Sequence, residues 1–156
     1  MQDFHIKIVL ENDRTELTEI AFRAKRHLDY PEEWIKLWTD ELTISAGYIQ
    51  NNFVFKAIAN PQNTIAGFCA IEHHRPEKKL EIAHVWVLPA FMGRNIGSQL
   101  IEFALNNLKS LPFNRITVVA DPNAKGFYEK LGFQFIREIE SIPKGRFLPV
   151  LEKELP

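Results

Sequence analysis

The sequence predicts a single α/β (α+β) domain with a mixed, mostly antiparallel central sheet of six to seven strands and about four flanking helices. Residues 80–88 form a β-branched and aromatic run, residues 98–108 have helical spacing, and residues 115–120 are nearly all apolar. A strand that follows a strand and a helix predicts a parallel pair joined by a right-handed crossover. Two other apolar runs are separated by residues 60–63, a turn by composition, which predicts an antiparallel hairpin.

Length and composition limit the class of protein. The 156 residues, of which 46% are hydrophobic, fit one domain spanning residues 1–156 with a substantial core. The net charge of -1 gives no electrostatic reason to expect a nucleic-acid partner. Cys69 is the single cysteine, the N-terminal residues lack the features of a signal peptide, and no apolar run reaches membrane-spanning length. We therefore expect a cytoplasmic protein without a membrane partner.

The N-terminal third predicts one strand and two helices. Apolar residues alternate over residues 4–10, as in a strand, and Asp13 with Glu16 resembles a capping box that begins a helix over residues 13–28. The opposite face of that helix is expected to be solvated; it contains Glu19, Arg23, Lys25 and Arg26. Pro31 is placed to begin a second helix extending to residue 42. Trp34 and Trp38 lie along one side of that helix, where core packing is favoured over a ligand pocket.

The remaining segments predict the rest of the sheet. The hairpin strands span residues 53–59 and 64–73, and Gly67 within the second strand is typical of a bulge. A short helix over residues 121–132 is marked at both ends by Asp121, Pro122 and Gly132. Strands follow at residues 133–139 and 147–153. Pro149 argues against a central place for the last strand, because proline cannot donate to a ladder.

The loop before the 98–108 helix has phosphate-binding chemistry. Gly93 and Gly97 allow turns that side chains would block, and they leave amide groups free at the helix start. Arg94 adds a cation and Ser98 a hydroxyl, so the loop suits a phosphorylated ligand. An ordinary strand-to-helix connection remains an alternative. The Gly-Lys-Ser/Thr of a Walker loop and the three glycines of a dinucleotide fingerprint are both absent.

Two motifs are informative when taken together. The first is Val87-x-Pro89 followed by Gly93-Arg94-Asn95-Ile96-Gly97, and the second is residues 121–133. Together they resemble the GNAT superfamily of acetyl-CoA-dependent N-acetyltransferases, in which the second motif is similar to the family's Asn-x-x-Ala…Phe-Tyr…Gly-Phe pattern. Residues 145–149 are similar to the Gly-Arg-x-Leu-Pro ending of a bacterial subgroup. The sequence departs from the family pattern at three positions. They are Met92, where Gln or Arg is usual, Asn95, where glycine is usual, and Asp121, where asparagine is frequent.

The resemblance implies a GNAT fold in which the parallel strands splay apart to form an acyl-CoA cleft. Acetyl-CoA would be the cosubstrate, and no metal is expected. The backbone of Val85, Trp86 and Val87 would pair with the pantetheine arm. The amides of the loop would hold the pyrophosphate; they belong to Gly93, Arg94, Asn95, Ile96, Gly97 and Ser98. Asn123 and Lys130 could reach the diphosphate or adenosine end, or be solvated.

The resemblance also implies catalytic residues. Glu81 is the candidate base that accepts the proton of the amine, and His84 is the alternative. Strand alternation places the two on opposite faces, so both reach one site only through a bulge. The alternative for Glu81 is a surface or ion-paired carboxylate, and the alternative for His84 is a core histidine. Tyr128 is the candidate acid for the thiolate, or else a buried tyrosine. His73 and His74 point to opposite faces, so they predict no metal site.

The expected function is acetyl transfer to a primary amine. The acceptor is a small metabolite amine or a peptide amine, with the metabolite somewhat favoured, and a homodimer is compatible with the sequence. The alternative is a non-catalytic domain with the same fold that binds acyl-CoA or a protein partner. Asn95 in the phosphate loop motivates that alternative.

Overall fold

The computed structural model describes residues 3–156 and contains a seven-stranded sheet in the order β1-β2-β3-β4-β5-β7-β6. Strands β4 and β5 are parallel, whereas the β1–β2, β5–β7 and β6–β7 pairs are antiparallel. This architecture confirms the predicted fold class. The strands are β1 (Asp3–Ile8), β2 (Phe53–Asn60), β3 (Thr64–His74), β4 (Lys79–Val87), β5 (Arg115–Val119), β6 (Gln134–Glu140) and β7 (Phe147–Glu154).

The described residues form six α-helices, two more than the sequence predicted. The expected 31–42 helix divides at Trp38, whose φ of -97° and ψ of 11° interrupt regular helical geometry. The helix at Ala46–Asn51 was not predicted, because six residues are too few to show a helical period. Ser45 caps it by accepting a hydrogen bond from the amide of Tyr48 at 3.0 Å. The helices are α1 (Arg14–Arg26), α2 (Glu32–Leu37), α3 (Thr39–Leu42), α4 (Ala46–Asn51), α5 (Ile96–Leu108) and α6 (Lys125–Lys130).

The chain forms two compact units. The first contains the residues up to Ala70 together with His84–Asn106. Its core joins α1–α4 to β2 and β3 through side chains such as Leu17, Ile35 and Phe68. Trp38 is 2% exposed in this core and Trp34 packs against it, which confirms the predicted core role of both tryptophans.

The second unit contains Ile71–Ala83 and Asn107–Pro156. Here the parallel ladder pairs the first four residues of β4 with β5, from Lys79 opposite Arg115 to Ile82 opposite Val118. On its other side β5 pairs with β7, so β7 is an interior strand. The expectation that Pro149 would exclude such a place was therefore wrong. Pairing with β5 begins one residue later, at Val150, and the Pro149 carbonyl accepts a bond from the amide of Ala120 at 2.9 Å.

Asp13 does not form the predicted capping box. A 3₁₀ turn at Glu11–Asp13 precedes α1, and the Asp13 carboxylate accepts a hydrogen bond from the amide of Leu10 at 2.8 Å. The same carboxylate forms an ion pair with the buried Lys56 at 2.6 Å. Asp13 therefore fixes the entry to the helix through one local contact and through its ion pair with Lys56, which the local sequence does not reveal. None of the helices among residues 3–156 has the length and apolar character needed to cross a membrane.

Candidate functional site

The loop between β4 and α5 contains two left-handed residues. A 3₁₀ turn at Pro89–Phe91 leads into Gly93, at φ +81°, and Asn95, at φ +61°, immediately before α5 begins at Ile96. Asparagine is one of the few non-glycine residues enriched in this region. Asn95 thus adopts a left-handed backbone conformation in which glycine would be the usual residue.

This turn exposes the start of α5. The Gln99 amide donates a hydrogen bond to the Asn95 carbonyl at 3.0 Å, and this is the first helical hydrogen bond at this turn. The amides of residues 96–98 belong to the first turn of the helix, before that bond. Gly97 and Ser98 are partly exposed, and the exposed Arg94 lies over the Phe91 ring with its guanidinium carbon 5.7 Å from the ring centre. The positive end of the helix dipole adds to these donors. The loop therefore offers amides and a cation to an anionic group.

The end of β4 approaches β3 unusually closely at Gly67. A Cβ on Gly67 would lie 2.6 Å from the carbonyl oxygen of Trp86 and 3.2 Å from Cα of Val87. One step further, the Leu88 amide donates to the Ala66 carbonyl at 2.8 Å. Gly67 is thus explained by the close approach of two backbones. The side chains of Val85, Trp86 and Val87 are all partly exposed at this end of the strand.

His84 is held by aromatic neighbours. The Trp86 indole donates from Nε1 to His84 Nδ1 at 3.0 Å, and the Tyr48 and Phe68 rings lie 5.9 and 6.1 Å from the imidazole. Burial among these groups lowers the pKa of His84 to about 4. Because an indole can only donate, Nδ1 acts as the acceptor, and the proton of the neutral ring is on Nε2. His84 is accordingly a poor base near neutral pH.

Lys25 contributes to the same surroundings, although its helix face was expected to be solvated. The residue is 8% exposed, and its ammonium lies 4.4, 4.9 and 5.7 Å from the ring centres of Trp38, Tyr30 and Trp86. The aliphatic stem and the cation–π contacts make this burial favourable. The sequence missed Lys25, because helical periodicity alone places it outside the apolar stripe. In the folded chain it helps to fix Trp86, the partner of His84.

Glu81 has a histidine partner. His74 Nε2 lies 3.1 Å from Glu81 Oε1, and the two side chains are 38% and 28% exposed. Glu72 belongs to the same cluster, in which the candidate ligand atoms of the three residues all lie within 4.8 Å of one another. Residues 72 and 74 share a face of β3 because side chains alternate along a strand. The adjacent pair His73 and His74, which point to opposite faces, gave no indication of this grouping in the sequence.

Tyr128 is buried on the helix that the sequence predicted to be capped at both ends. Asp121 accepts a hydrogen bond from the amide of Asn123 at 2.9 Å, and Gly132 takes a φ of +93° at the other end. Between these ends lie a 3₁₀ turn and the shorter helix α6. Tyr128 is 5% exposed, with its ring edge-on to Phe127 and Phe133 at 5.0 and 5.5 Å. The ring is therefore packed between two aromatic neighbours.

Asp121 links the two C-terminal motifs. Its carboxylate forms an ion pair with Arg146 at 3.3 Å, and the two side chains are only 13% and 10% exposed. Arg146 is the arginine of the Gly-Arg-x-Leu-Pro segment, so both motifs contribute to one partly buried pair. Asn123 donates its amide group to Asp121 Oδ1 at 2.8 Å. Asn123 and Lys130 are both exposed.

The predicted site residues are thus distributed over both units. The first unit contains the end of β4, His84 and the loop at residues 93–98. The second unit contains Glu81, Tyr128, Asn123 and Lys130.

Comparison with known proteins gives a family match over most of the chain. The sequence model described as "Acetyltransferase (GNAT) family" matches residues 15–133. A search of curated proteins finds no significant match. Among solved structures, the chain resembles the PaiA N-acetyltransferase of Thermoplasma acidophilum in complex with coenzyme A. The identity is 18%, the TM-score is 0.78, and 97% of this chain and 99% of that chain are covered.

Two further structures show the same fold. A GCN5-related N-acetyltransferase from Rhodopseudomonas palustris has 21% identity and a TM-score of 0.79, with 97% of this chain and 95% of that chain covered. A GNAT-family acetyltransferase from Staphylococcus aureus Mu50 has 16% identity and a TM-score of 0.75, with 99% and 100% covered.

Proposed function

Since the chain belongs to the GNAT acetyltransferase family, we propose that it transfers the acetyl group of acetyl-CoA to the nitrogen of a primary amine. A small metabolite amine is favoured over a peptide amine as the acceptor. The observation that carries this proposal is the exposed turn before α5, in which Gly93 and Asn95 take left-handed conformations. The non-catalytic alternative was motivated by asparagine in place of glycine at position 95. Asn95 adopts the left-handed conformation of this turn, so the substitution no longer favours that alternative.

In this proposal the first unit binds the cofactor. The pyrophosphate accepts hydrogen bonds from the amides of residues 93–98, and the positive end of α5 favours its charge. The pantetheine arm pairs with the backbone of residues 85–87 as an added strand. A backbone N–H of the same strand donates to the oxyanion that forms at the thioester carbon.

Glu81 acts as the base in the proposed reaction. The amine nitrogen attacks the thioester carbonyl and loses a proton to the Glu81 carboxylate, and the C–S bond then breaks. His84 is the weaker candidate, because its Nδ1 accepts from Trp86 and its pKa is lowered to about 4. The His74 imidazole, 3.1 Å from Glu81, positions the carboxylate and offers the proton a route to solvent.

Tyr128 acts as the acid. Its hydroxyl protonates the leaving thiolate and recovers the proton from solvent, so the products are the acetylated amine and coenzyme A. The buried ring between Phe127 and Phe133 supports this role, because a rigidly held side chain keeps its hydroxyl in one place.

The proposal is tested with a panel of metabolite amines and peptide amines. Purified protein is incubated with acetyl-CoA and each amine, and the acetylated product is measured by mass spectrometry. Turnover of at least one amine is expected, and Glu81→Gln should lower its rate by about a hundredfold or more. Glu77→Gln is the matched control, because it makes the same substitution at an exposed glutamate whose ion pair is with Lys79. Absence of product with every amine would overturn the proposal.

A further inference from the structure

The cluster of Glu72, His74 and Glu81 has the donor set of a metal site. The first two residues are separated by one residue on β3 and share a face, and the third is on the neighbouring strand β4. All three are partly buried. Strands hold their side chains at fixed intervals, so the three donors are already gathered before any ion arrives.

The chemistry of the donors selects the kind of ion. One imidazole and two carboxylates suit a borderline ion such as Zn²⁺, whereas Mg²⁺ and Ca²⁺ prefer oxygen ligands alone. Zinc–ligand bonds of about 2.1 Å place tetrahedral ligands about 3.4 Å apart. The ligand atoms of the cluster lie within 4.8 Å of one another, and His74 Nε2 is 3.1 Å from Glu81 Oε1. Small side-chain rotations at this partly exposed position close the remaining gap.

We propose that Glu72, His74 and Glu81 bind one Zn²⁺ ion, and that this ion inhibits the enzyme. Bound zinc occupies the Glu81 lone pairs and neutralises the carboxylate, so Glu81 can no longer accept a proton. The inhibition rests on the function proposed above, whereas binding does not. Zinc here is a ligand that blocks the base, and no step of the proposed acetyl transfer uses it.

Binding is measured first, without acetyl-CoA. Protein stripped with EDTA is titrated calorimetrically with ZnCl₂ in a non-coordinating buffer, and one site with a micromolar dissociation constant is expected. Glu72→Gln and His74→Gln should each weaken binding at least tenfold. His73→Gln is the matched control, because the neighbouring histidine points to the other face of β3. Circular dichroism of the metal-free variants shows whether each one is folded.

Inhibition is measured second, as the ratio of rates with and without zinc for each variant. Product is quantified by mass spectrometry, since zinc also binds the free thiol of coenzyme A. Wild type and His73→Gln should be inhibited and recover on adding EDTA, whereas His74→Gln should lose most of the inhibition.

The outcomes separate the two proposals. Zinc binding without acetyl transfer to any amine would overturn the proposed function and leave the site intact. Acetyl transfer without zinc binding, or binding that His74→Gln leaves unchanged, would overturn the metal site. Binding without inhibition would overturn the regulatory role.

Discussion

Replacing Gly67 with alanine tests the close approach between β3 and the end of β4. The added Cβ would meet the Trp86 carbonyl oxygen at 2.6 Å, and ordinary van der Waals contact begins at 3.4 Å. One of the two backbones must therefore move by about 0.8 Å. The obstacle is a backbone atom, which cannot rotate away as the end of a side chain can. The nearby Val87 Cα and Cγ2, both at 3.2 Å, limit movement in other directions.

Overpacking of this kind costs about 1–3 kcal/mol of unfolding free energy. For a domain of this size, that loss lowers the melting temperature by roughly 2–12 °C. Affinity for acetyl-CoA should fall as well, because the displaced segment is the one proposed to pair with pantetheine. Thermal unfolding and calorimetric titration with acetyl-CoA measure the two effects.

Gly47→Ala is the matched control for Gly67→Ala. It makes the same substitution within α4, where a Cβ would meet nothing within 4 Å. Alanine is favoured over glycine in a helix by about 0.5–1 kcal/mol, so the control should be neutral or slightly stabilised. A Gly67→Ala protein as stable as the wild type, with unchanged acetyl-CoA affinity, would refute the reasoning.

Four further expectations follow from the site. Acetyl-CoA should bind with a micromolar dissociation constant, and absence of both heat and a thermal shift at millimolar coenzyme A would contradict this. Tyr128→Phe should lower turnover by about a hundredfold with little change in acetyl-CoA affinity, whereas a purely structural tyrosine would cost at most about a kilocalorie of stability and leave the rate intact. The pKa of His84 is lowered from 6.5 to about 4, so the neutral ring stabilises the fold above pH 6.5. That contribution, up to about 3 kcal/mol, should be lost as the pH falls from 6.5 to 4, and denaturant unfolding of His84→Gln should lack this part of the pH dependence. Arg146→Met should lower the unfolding free energy by roughly 1–3 kcal/mol, because Asp121 loses its partly buried cation but keeps its hydrogen bonds from Asn123. Adding Asp121→Asn to this variant should restore much of the lost unfolding free energy. If the losses of the two single variants simply add in the double variant, the Arg146–Asp121 ion pair does not contribute to stability.

The sequence alone determined the elements whose signals are local. The apolar run at residues 80–88 and the helical spacing at 98–108 correspond closely to β4 and α5, and their order implied the parallel pairing with β5. The caps Asp121 and Gly132 were also read correctly, because capping residues act on amides a few positions away. Each of these inferences depends on neighbours in the chain. Helix α4, with its six residues, is too short to give such a signal.

The tertiary structure decided the surroundings of the candidate site. His84 was assigned by position, but its neutral state depends on Tyr48 and Phe68, which lie 36 and 16 positions earlier in the chain. Arg146 reaches Asp121 across 25 positions. A periodic pattern reports which face of an element is apolar, and it contains no information about which distant side chain will lie opposite. The proton-transfer and metal-binding roles proposed for this chain therefore depend on contacts that only the folded chain creates.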